Sequence, residues 1–67
     1  MAIVKVIEIL SDSTSSWEDA TKNAVAEASK TVKNIKSVWV QDQSCVVKDG
    51  KVAAFRVNVK ISFSVNS

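Results

Sequence analysis

The most regular pattern in the chain is the alternation near its C-terminal end. Phe55, Val57, Val59, Ile61, Phe63 and Val65 fall on one side of it, and Arg56, Asn58, Lys60, Ser62 and Ser64 on the other. A period of two is the pleat of a β-strand with one apolar and one polar face. Lys36 to Val47 alternates more loosely and predicts a second strand, and Asp49-Gly50 between the two predicts a hairpin turn, since both residues tolerate positive φ. Ala2 to Leu10 is rich in Ile and Val and predicts a further strand.

Between the first strand and the second the apolar spacing changes to three and four. Trp17, Ala20, Ala24, Ala28, Val32 and Ile35 form one stripe, which predicts a helix running to about Lys33-Asn34. The polar run SDSTSS before it suits a loop. Ser16 opens a capping-box-like Ser-Trp-Glu-Asp, with Asp19 where Glu or Gln is usual, and Glu18 and Asp19 place negative charge on the first turn. The order β-α-β-β predicts an α+β fold over residues 1–67: a three-stranded antiparallel sheet, its C-terminal strand in the middle, packed by its apolar face on an alanine-lined helix. The second sheet face is then left with Ser37, Trp39 and Gln41 on one strand and Arg56, Asn58 and Lys60 on its neighbour.

Size decides what else is needed. A chain of 67 residues is one domain, and a domain so small buries only about 60% of its unfolded surface. A disulfide within the chain is excluded because Cys45 is alone, and without histidine a zinc site has too few ligands. Oligomerisation is the remaining compensation. The net charge of +2 comes from scattered basic residues, which is not the footprint of a nucleic-acid binder. No apolar run approaches the roughly 20 residues of a membrane span. MAIVKVIEIL lacks the pattern of a secretory signal, so the cytoplasm is the expected location.

Candidate chemistry is sparse. Cys45 lies among valines with no histidine to activate it and is expected to be a buried, inert thiol. Trp17, on the apolar stripe, is expected to anchor the core or a subunit interface. Glu8, Asp12, Glu18, Asp19 and Asp42 show no spacing that demands a metal, and solvated positions and helix caps account for most of them. Nothing resembles a phosphate loop or a nucleophile with its base, so no enzyme is expected.

Taken together, KVIEI in the first strand, SWEDA and AVAEASKTVKNI along the helix, DGKV at the turn and FRVNVKISF in the last strand resemble the dodecin family across nearly the whole chain, without an insertion. The resemblance implies a βαββ fold assembled into a hollow homododecamer built from trimers. It also implies a non-enzymatic protein that stores or sequesters flavin, FMN or riboflavin, bound in pairs between subunits. Flavin-binding members stack the ring on a tryptophan in a motif like Trp-Phe-Glu-Val, which falls here on Ser37-Val38-Trp39-Val40. Serine thus holds the stacking position, and the tryptophan stands two residues late. A Gln-Val-Thr pattern in the last strand falls on Arg56-Val57-Asn58, and the arginine that contacts a flavin phosphate falls on Ser44. The cofactor-contact candidates are therefore Ser37, Trp39, Gln41, Ser44, Arg56 and Asn58. Two outcomes follow: Trp39 and Arg56 hold flavin in an altered pose, or they join in a cation–π contact that closes the pocket. The second is the expected geometry. A shell free of flavin, or one holding another small ligand or a divalent cation, is the alternative function.

Overall fold

The computed structural model describes residues 3–65 as β1 (Ile3–Ser13), α1 (Trp17–Ala28), β2 (Ile35–Lys48) and β3 (Lys51–Val65). β3 lies between β1 and β2 and runs antiparallel to both, as the alternation and the hairpin predict. The turn residues Asp49 and Gly50 both take positive φ, 52° and 75°. Val57, Val59 and Ile61 are fully buried beneath Ala20, Ala24 and Ala28, with Ile7, Ile9, Ile35 and Val38 packed round them. Alanines on α1 bring the helix axis close to the sheet, so the branched residues of the middle strand fill the layer without large helix side chains.

Ser16 caps α1: its Oγ accepts from the Asp19 amide at 2.9 Å. Asp19 does not complete a reciprocal box. Its Oδ2 accepts instead from Ser13 Oγ at 2.6 Å, and Ser13 Oγ in turn accepts the Ser15 amide at 2.9 Å. Ser13 is buried at the end of β1, so this network ties the strand directly to the helix start. Ser11, Asp12 and Ser13, expected in the loop, accordingly belong to the strand. Ala2, where the first strand was expected to begin, lies outside the described residues.

The helix is shorter than its apolar stripe. It stops at Ala28, and the chain turns through Ser29–Thr31 before Ile35 joins β2. Ser29 Oγ donates to the Val25 carbonyl at 2.7 Å, and the Lys30 and Thr31 amides take the tighter three-residue spacing to Glu27 and Ala28. Asn34 then adopts φ 63°, which no helix continues through. Val32 and Ile35 kept the helical spacing by sequence alone. Ile35 does reach the core, but from the sheet side.

Trp17 is the intramolecular anchor of the helix start. Its ring meets Phe55 edge-on, with centroids 5.2 Å apart and planes at 75°, and its Nε1 donates to the Ser44 carbonyl at 2.8 Å. The indole thereby fixes α1 over the β2–β3 ribbon and satisfies its one polar atom.

Candidate functional site

The face of the sheet away from α1 is built of cross-strand rows, because partners opposite each other in an antiparallel ladder point to the same side. One row is Asp12, Arg56 and Ser44; the next is Leu10, Asn58 and Asp42; then Glu8, Lys60 and Trp39; then Val6, Ser62 and Ser37. Trp39 is 45% exposed in this isolated chain. Val4, Val6 and Leu10 are exposed along β1 of the same face, which is therefore less polar than β2 and β3 alone suggest.

Two bulges on β2 set which residues reach these rows. Ile35 pairs with Phe63 but Ser37 with Ser62, so one extra residue turns Ile35 inward and Ser37 outward. A second shift between Val40 and Asp42 leaves Gln41 without a partner on β3 and places Asp42 opposite Asn58. Strict alternation would have sent Asp42 toward the covered face after Val38 and Val40. The bulge puts it on the outer face instead. Gln41, expected beside Trp39 on its face, is thus the bulge residue, and Asp42 takes the place next to the indole. An open depression of about 430 Å³ follows the bulge, lined by Val40, Gln41, Asp42 and Gln43.

The expected Arg56–Trp39 contact does not form. Arg56 is held bidentately by Asp12, with Nε donating to Oδ1 at 2.7 Å and Nη2 to Oδ2 at 3.0 Å. The two are direct cross-strand partners, whereas Trp39 lies two rows away opposite Lys60. A carboxylate in fork geometry outcompetes an indole face for guanidinium. Ser37 and Ser62 likewise satisfy each other, Oγ to Oγ at 2.5 Å. Two of the six candidates, Ser37 and Arg56, are thus engaged by their own chain. Ser44 stands opposite Arg56 and gives its carbonyl to Trp17. Trp39 and Asn58 occupy adjacent rows, and the Oδ1 of Asn58 is buried without a hydrogen-bond partner. An unsatisfied buried acceptor costs about 1–3 kcal/mol. Asp42 was not among the sequence candidates for ligand contact. Its placement depends on a one-residue slip that no local pattern announces.

The Asp12–Arg56 pair makes stability depend on acid. The hydrogen bond from Arg56 holds the Asp12 carboxyl below its ordinary value of 3.8, and the same bond raises Arg56. A carboxyl more acidic in the folded chain stabilises it fully above the unfolded value, and that contribution is lost as pH falls through the lowered folded value. Unfolding midpoints followed from about pH 6 down to pH 2 should therefore fall more steeply for the native chain than for Asp12→Asn. Equal slopes would show that the pair adds nothing. Both side chains are 43% exposed, so added salt should diminish the difference.

Cys45, expected to be buried, is exposed. It stands on the edge strand opposite Phe55, in the last row that β1 reaches through Ser13, and beyond it β2 and β3 continue as a two-stranded ribbon. Val47 and Val52 on that ribbon are also exposed. Among the described residues no three His, Cys, Asp or Glu side chains gather to hold a metal ion, and no helix is long and apolar enough to cross a membrane.

A profile of the Dodecin family matches residues 3–66. Calcium dodecin from Mycobacterium tuberculosis is 32% identical over 65 residues, covering 97% of this chain and 92% of that protein. Its crystal structure, described as having a novel calcium-binding site, superposes with a TM-score of 0.85 at 31% identity, covering 96% of this chain and 91% of the other. The structure of dodecin from Streptomyces coelicolor matches with a TM-score of 0.93 at 27% identity, covering 98% and 94%.

Proposed function

The chain belongs to the dodecin family, and from that premise we propose that it is a non-enzymatic cytoplasmic shell protein that holds a flavin, FMN or riboflavin, against Trp39. The observation that carries this reading is the indole left 45% exposed on the outer sheet face. A planar heteroaromatic ring is the natural occupant of such a platform. Trp39 supplies the stacking surface and Asn58 the neighbouring amide. Ser37, Ser44, Gln41 and Arg56 border the site, with Ser37 and Arg56 already committed to Ser62 and Asp12. A homododecamer built from trimers would cover Val4, Val6, Leu10 and the exposed valines of the ribbon, offsetting the small core. Light scattering should then report twelve times the 7.3 kDa chain.

Fluorescence titration tests the ligand. FMN or riboflavin emission should be quenched on adding the purified protein, and protein that leaves both emissions unchanged would sink the reading. One observation favours a second function: the M. tuberculosis relative is a calcium dodecin. A divalent cation held by oxygen ligands is the alternative cargo, and calorimetric titration with Ca²⁺ and Mg²⁺ decides it.

A further inference from the structure

The edge chemistry beside Trp39 differs from what a flavin presents. The bulge at Gln41 puts the Asp42 carboxylate on the outer face in the row adjoining the indole, opposite Asn58. Asp42 also lines the open depression, and the Oδ1 of Asn58 opposite it is buried without a hydrogen-bond partner. Lys60 lies on the opposite side of Asn58 along β3, in the row of Trp39 itself. The edge of the platform toward Asp42 therefore offers the two acceptor oxygens of a carboxylate, with the Asn58 amide opposite it on β3.

A carboxylate pairs bidentately with two adjacent N–H donors. The pyrimidine edge of isoalloxazine presents one N–H between two carbonyl oxygens, so Asp42 would meet a single donor flanked by repelling acceptors. A 2-amino-4-oxopyrimidine edge, as in pterins and guanine, presents ring N–H and exocyclic NH₂ side by side. We infer that the Trp39–Asp42–Asn58 corner selects planar heterocycles with such a donor–donor edge, of the pterin class, over rings with an imide edge. The inference rests on the proposed use of Trp39 as a ring platform and specifies which rings it prefers.

Pterin and lumazine separate the two edges, because they share one bicyclic frame and differ at C2, amino against oxo. Each is titrated by its own fluorescence into the full-length protein in its native assembly, with riboflavin alongside. Pterin should bind at least about tenfold more tightly than lumazine, the discrimination typical of one bidentate pair. Asp42→Asn converts the acceptor pair into one donor and one acceptor, which matches an imide, so the variant should bind lumazine and riboflavin as well as or better than pterin. Circular dichroism and light scattering confirm that the variant folds and assembles. Lumazine binding equal to or tighter than pterin in the native chain overturns the inference, as does a preference unchanged by Asp42→Asn. If riboflavin and lumazine bind while pterin does not, the inference falls and the flavin reading stands. If none of the three responds, both fall.

Discussion

Ile61→Ala should lower the unfolding free energy by about 2–5 kcal/mol, the range for removing a buried branched side chain and leaving a cavity. Ile61 is fully buried in the middle strand, with Ile7 as its partner on β1 and Val38 on β2. The alanines of α1 above it have no rotamers to swing into the gap, so collapse of the cavity requires backbone movement. A core of this size supplies only about 3–5 kcal/mol by itself, so the loss approaches the whole stability of an isolated subunit. Urea unfolding followed by far-UV circular dichroism measures it, at one fixed protein concentration because assembly stabilises by mass action. Val40→Ala, at a position 39% exposed on the same helix-facing side, is the control and should cost far less. A loss below about 1 kcal/mol for Ile61→Ala would contradict the packing described.

Trp39→Ala should weaken ring binding by about 10- to 100-fold, since stacking on an aromatic side chain contributes roughly 1–3 kcal/mol. The indole is 45% exposed and stands outside the buried cluster, so the stability of the subunit should be nearly unchanged. That combination separates a ligand platform from a packing residue. An interface tryptophan gives the opposite result: the assembly breaks down on light scattering while whatever binding remains is unaltered per intact shell. Trp17→Ala provides the contrast, because Trp17 is held by Phe55 and the Ser44 carbonyl and its loss should destabilise the fold.

The two tryptophans also mark the limit of local reasoning. Trp17 falls on a helical stripe whose partner, the apolar face of β3, is evident from the alternation, so its role as an anchor is legible in the sequence. Trp39 is legible as lying on the outer face, because Val38 and Val40 beside it point inward. Its neighbours on that face are not legible. Asp42 reaches the adjoining row only because β2 bulges at Gln41, and Arg56 is withdrawn from Trp39 by a carboxylate 44 residues away in the chain. The same distinction explains Cys45. Val46 and Val47 after it suggest burial, yet it stands on the edge strand β2, opposite Phe55 in the last row that β1 reaches, and the thiol is left in the open.

The order of elements, the helix cap at Ser16, the Asp49-Gly50 turn and the apolar face of β3 are properties of neighbouring residues, and short-range preference suffices to determine them. Tertiary structure alone decided the phase of β2 beyond Val40, the end of α1 at Ala28 and the pairing of Arg56 with Asp12. The first and the last depend on partners far apart in the chain, brought together across strands. A slip of one residue exchanges every side chain between the faces of a sheet. Where such a slip occurs depends on what the opposite strand presents, and a segment read by itself carries no record of that.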